Sequence, residues 1–137
     1  MTFKISFTAL CLFVTSFAYA GSLQLSRDGT SDYVIVVADD AIAPELFAAR
    51  QFQENFKLVT GAALPILKES DLAGGDAPRI LIGQTHFARQ ALADLKWNSL
   101  GHDGIVIKTV GSNLILAGGR PRGAIYAVNT FLEGSVG

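Results

Sequence analysis

Along the chain the apolar positions switch between a period of two and a period near 3.6, and the switches predict a succession of strands and helices. Tyr33-Val34-Ile35-Val36-Val37 is an unbroken apolar run rich in β-branched residues, as expected of a strand covered on both faces. A helix should follow it. Pro44 suits a first helical position and Glu45 suits the positive helix end, while Ala48, Ala49, Phe52, Phe56 and Val59 fall on one face before Gly61 stops the helix. Leu64-Pro65-Ile66-Leu67 predicts a short strand whose proline places it at an edge or at a strand start.

Residues 69–78, with Gly74-Gly75-Asp76, form a loop, after which Arg79-Ile80-Leu81-Ile82-Gly83 returns as a strand. Thr85 can then cap a helix carrying Phe87, Ala88, Ala91, Leu92 and Leu95, closed by residues 96–101. Residues 104–110 and 113–117 predict two antiparallel neighbouring strands joined by Gly111-Ser112, a hairpin signal. The last helix opens at Gly123, with Ile125, Val128 and Leu132 on one face and Tyr126 and Asn129 beside them. The order is β-α-β-β-α-β-β-α, with residues 23–26 as a candidate extra first strand. That order predicts an α/β (α+β) domain with a mixed sheet and helices on at least one face.

The first twenty residues read differently. Lys4 supplies a positive start, residues 5–17 are nearly all apolar, and Ala18-Tyr19-Ala20 fits the small-x-small rule for cleavage between Ala20 and Gly21. The pattern predicts a signal peptide over residues 1–20 and an exported, periplasmic or secreted, protein. The alternative is a retained anchor, for which the apolar run is short. Cys11 lies inside that run rather than at the cleavage point, which argues against lipidation.

Cleavage would leave residues 21–137, one domain's worth of chain. Without Lys4 this part holds 10 Lys and Arg against 12 Asp and Glu, a formal charge of −2, and no basic run able to neutralise several phosphates. Nucleic acid is therefore not an expected partner, and no membrane contact is expected after cleavage. The same part has no cysteine, so stability must come from packing and a thiolate zinc site is excluded.

Candidate chemistry is sparse. Gly118-Gly119-Arg120-Pro121-Arg122-Gly123 joins a strand to a helix, and helix N–H groups with two guanidinium groups could hold a carboxylate or phosphate. Arg120, Arg122 and Gly123 are thus candidate ligand-binding residues. The other reading of this segment is a tight turn whose arginines help dock a neighbouring domain. It lacks both the Walker and the G-x-G-x-x-G spacing. Asp39, Asp40 and Asp103 raise the two-carboxylate arrangement of glycosidases, but Asp39-Asp40 also reads as a solvated entry to the first helix. His86 and His102 have no evident third ligand, so no metal, cofactor or catalytic residue is expected. Trp97 and Tyr126 could stack on a sugar or simply pack. Phe47 and Leu58 lie roughly opposite Phe52 and Phe56 on the first helix, suiting either a docking patch or ordinary exposure.

A resemblance runs through these pieces. Thr60-Gly61-Ala62-Ala63-Leu64-Pro65-Ile66, Ile80-Leu81-Ile82-Gly83, Asp103-Gly104-Ile105-Val106-Ile107 and Leu116-Ala117-Gly118-Gly119-Arg120-Pro121-Arg122-Gly123-Ala124-Ile125-Tyr126-Ala127-Val128, with Phe131-Leu132-Glu133, resemble the α-glucuronidase N-terminal domain of glycoside hydrolase family 67. That domain is similar to the one preceding the barrel in family 20 β-N-acetylhexosaminidases. The resemblance covers about residues 30–133. It implies a non-catalytic accessory domain, the N-terminal part of a longer glycoside hydrolase acting in xylan catabolism. Its partner would be a following (β/α)8 domain that carries the catalytic carboxylates, with polysaccharide as a further possible partner. Activity as an α-glucuronidase would then belong to the barrel, and this chain alone is expected to be inactive. The alternative function is a stand-alone exported binding module for an acidic sugar.

Overall fold

The structure, a computed structural model, describes residues 3–7, 21–75 and 77–135. Of the expected leader, residues 1–2 and 8–20, including Ala20, lie outside the described residues, while Gly21 opens a strand. Strands β1 (Phe3–Phe7) and β2 (Gly21–Ser26) pair antiparallel as a separate ribbon.

The remaining elements are β3 (Val34–Val37), α1 (Ala43–Thr60), β4 (Ile66–Lys68), β5 (Arg79–Ile82), α2 (His86–Ala91), β6 (Ile105–Val110), β7 (Asn113–Gly118) and α3 (Gly123–Ser135). They form an α/β fold around a mixed five-stranded sheet in the order β4-β3-β5-β7-β6. Four strands are parallel, and β6 returns antiparallel to β7 through the Gly111-Ser112 turn, where Gly111 has φ 61°. Pro65 immediately precedes β4, which is an edge strand as its proline requires.

Alternation along the strands divides the core in two. Ile35, Val37, Ile80, Ile82, Leu114 and Leu116 face α1 and α3, meeting Ala48, Ala49, Phe52, Phe56, Ala124, Ala127, Val128 and Phe131. Val36, Leu81, Ile115 and Ala117 face the other way, onto Ala88 and Leu92. Both sheet faces are therefore covered, which explains why the strands read as continuous apolar runs.

Three details differ from the sequence pattern. Helix α2 stops at Ala91, yet Leu92 and Leu95 still pack on the second sheet face from the turns that follow. Val59 is 39% exposed because α1 presents Thr60 inward instead, where its Oγ donates to the Phe56 carbonyl and accepts from the Ala62 N–H. In α3 the buried face is centred on Ala124, Ala127, Val128 and Phe131, while Ile125 and Leu132 pack at its margin. Small residues there let the helix lie close to the sheet. The 69–78 loop begins with a short 3-10 turn, Glu69–Asp71.

Candidate functional site

Because β3, β4, β5 and β7 run parallel, their carboxyl ends meet along one edge of the sheet, the usual place for sites in open α/β folds. Here that edge is laced by carboxylates that bind the protein's own backbone. Asp39, just after β3, accepts from the Ser70 N–H at 3.0 Å. This bond holds its carboxyl below the usual aspartate range. Glu69 accepts from the N–H groups of His86 at 2.7 Å and Phe87 at 3.1 Å, and Thr85 Oγ1 accepts from Ala88 N–H. Together Glu69 and Thr85 satisfy the first turn of α2.

Glu45 goes deepest. Its position at the third residue of α1 lets Oε1 reach back to the Ile42 N–H at 3.1 Å, one half of a capping box. The side chain is only 2% exposed, and a charge there needs partners on every oxygen. They come from across the sheet. Oε2 accepts from the Gln84 N–H at 3.1 Å, and Arg120 donates from Nη2 to Oε1 at 3.0 Å and from Nε to Oε2 at 3.3 Å. Gln84 in turn donates from Nε2 to the Gly118 carbonyl at 2.9 Å and accepts from Arg89. Asp40 lies 4.0 Å from Arg120 on the solvent side. One network thus ties the start of α1 to the ends of β5 and β7.

Gly83 makes room for it. Its φ is +90°, and a Cβ there would sit 2.8 Å from Glu45 Cδ and Oε2. The Gly118 to Gly123 turn is equally tight, since a Cβ on Gly119 would meet the Gly101 carbonyl oxygen at 1.8 Å. The Arg120–Pro121 peptide within it is cis.

Arg120, Arg122 and Gly123 do not converge on one point. Arg120 turns inward to Glu45, whereas Arg122 donates from Nε and Nη2 to the two Asp103 oxygens at 2.6 and 3.2 Å. That pair is exposed and holds the Asp103 carboxyl below its usual range. Three N–H groups of the turn are also engaged: Gly119 donates to Gly104 O, Arg122 to His102 O and Gly123 to Gly119 O. A ligand bound to this turn would have to displace internal partners. Each arginine has an acidic partner within the domain itself.

His86 and His102 are exposed on separate segments, and among the described residues no group of three or more His, Cys, Asp or Glu is placed to hold a metal ion. Trp97 is half-buried against the second core cluster, and Tyr126 is 43% exposed. Phe47 and Leu58 are exposed, as their helical positions require. Among the described residues no helix is long and apolar enough to cross a membrane.

Glu45 escaped sequence reasoning as anything but a helix-end charge. The available signal was its place three residues after Ile42, where a glutamate can close back on the helix entry. Its partner at position 120 gave no sign of itself. No protein-family model and no curated protein matches the chain.

Proposed function

We propose that this chain is a non-catalytic α/β accessory domain of an exported glycoside hydrolase of the α-glucuronidase type, serving xylan breakdown beside a following (β/α)8 catalytic domain. Support comes from where the motifs of the resemblance fall. Thr60-Gly61-Ala62 is the C-terminal cap of α1, with Gly61 at φ 80°, and Gly83 gives way to Glu45. Asp103-Gly104 leads into β6, and the Gly118 to Gly123 turn links β7 to α3. Each motif is a joint of the fold.

The observation that carries the reading is the ion pair between Glu45 and Arg120. It commits Glu45, the one buried carboxylate among the described residues, and Arg120 to holding the domain together. Export is read from Lys4, the apolar run and Ala20-Gly21. A stand-alone module holding an acidic sugar on Arg120 and Arg122 would need both guanidinium groups to leave Glu45 and Asp103.

The test is an assay of the full chain on glucuronoxylan oligosaccharides and aryl glycosides, where no hydrolysis is expected. Turnover that copurifies with the protein and disappears on substituting Glu45 or Asp103 would overturn the proposal.

A further inference from the structure

Two clefts beside the carboxyl edge meet at Trp97. One, about 440 Å³, is lined by Arg89, Trp97, Asn98, His102 and Arg120 with Gln84 and Gly101; the other, about 660 Å³, continues past Arg89, Trp97 and Asn98 to Lys96. Neither lining contains a carboxylate. In a chain whose charges nearly cancel, at a formal −1, Arg89 and Lys96 give these clefts a local excess of positive charge.

The cations differ in how far they are committed. Arg120 is neutralised from behind by Glu45 and Asp40. Asp103, next to His102, is taken by Arg122. Arg89 meets only the neutral Gln84 amide oxygen, and among the described residues neither Arg89 nor Lys96 has an ion-pair partner. Trp97 is half-buried, held by apolar packing against the second core cluster with its indole Nε1 turned inward and without an acceptor, so its ring lines the groove while the N–H reports on the packing beneath it.

We propose that this groove binds a small ring compound carrying an anionic group, the ring against Trp97 and the anion between Arg89 and Lys96. An aromatic side chain offers a face to the ring, guanidinium and ammonium groups hold the charge, and Asn98 can serve a neighbouring hydroxyl or carbonyl. A sugar acid and a nucleoside monophosphate share this chemistry. The inference rests on the groove alone and does not depend on the proposed role in a glycoside hydrolase.

The test follows the Trp97 indole N–H resonance of the full chain by NMR during titration with D-glucuronate, adenosine monophosphate and D-glucose. A saturable shift is expected with glucuronate or with the nucleotide, the responding compound identifying the source, and no shift with glucose. Affinity should fall about tenfold in Arg89→Gln and about threefold in Lys96→Gln, and should be unchanged in Arg122→Ala. Lys96 is exposed, so its variant decides the matter if Arg89→Gln fails to fold. Absence of a shift with both anionic compounds, an equal shift with glucose, or undiminished affinity in Lys96→Gln would overturn the proposal.

Discussion

Glu45 and Arg120 are 75 positions apart in sequence and form a two-pronged ion pair, with the glutamate side chain almost wholly buried and the arginine side chain 29% exposed. Each also belongs to a local structure: Glu45 closes the entry to α1, and Arg120 sits in the turn between β7 and α3. The pair therefore fastens the two helices of the main core to the carboxyl edge of the sheet.

Breaking it from one side should be costly. Arg120→Ala leaves a buried carboxylate without its cation, and a loss of about 3 kcal/mol in unfolding free energy is expected. Replacing both residues by methionine should cost less than the sum of Glu45→Met and Arg120→Met, since no charge is stranded. Urea denaturation of the three variants measures this, and strict additivity would show that the two side chains act independently.

Gly83 provides a second check on the same contact. Gly83→Ala forces φ +90° on an alanine and drives its Cβ into the Glu45 carboxylate, so a cost of roughly 2 kcal/mol or more is expected. In a Glu45→Ala background the collision is removed and only the backbone strain remains. The cost of Gly83→Ala should then be smaller, which a double-mutant cycle reads directly.

The core face of α1 is set by Phe52, which is fully buried and stacks on Phe56 at 5.5 Å and approaches Phe131 at 5.9 Å between ring centroids. Phe52→Ala should cost about 3 to 5 kcal/mol. Leu58→Ala, at a position 84% exposed, and Asp40→Asn should change stability by less than about 0.5 kcal/mol. Denaturation midpoints compare them.

Acid should loosen the carboxyl edge. Asp39 is held low by the Ser70 backbone N–H and Asp103 by Arg122, so both carboxyls have folded-state pKa values below those of the unfolded chain. Their contribution is present above about pH 4 and is lost as the pH falls through the lowered values. Asp39→Asn should therefore flatten the decline of stability between about pH 4 and pH 2, and an unchanged pH profile would remove Asp39 from the explanation.

What could be read in the sequence follows from how local each signal is. Helix α1 was legible because Pro44 and Gly61 mark its ends and the phenylalanines keep a helical period, and the β6–β7 hairpin because Gly111-Ser112 separates two apolar runs. The end of α2 was not, since Leu92 and Leu95 stay in helical register while serving the sheet from turns. In α3 Val128 is buried and Ile125 and Leu132 pack at the margin as their spacing predicts, while the burial of Ala124 and Ala127 carries no mark in a pattern of large apolar residues. In the candidate site, the Gly118 to Gly123 turn was found but its arginines' partners were not. Glu45 and Asp103 are distant in sequence from these arginines; the parallel order of β3, β5 and β7 brings Glu45 to the edge, and the antiparallel return of β6 brings Asp103 there.

The proposal that this chain is the leading accessory domain of an exported glycoside hydrolase is tested most directly by the intact mass and N-terminal sequence of the protein recovered from its natural host. A product that begins at Gly21 and is heavier than residues 21–137 by a whole barrel domain is expected. A product that retains residues 1–20, or one whose mass equals that of residues 21–137 alone, would contradict it.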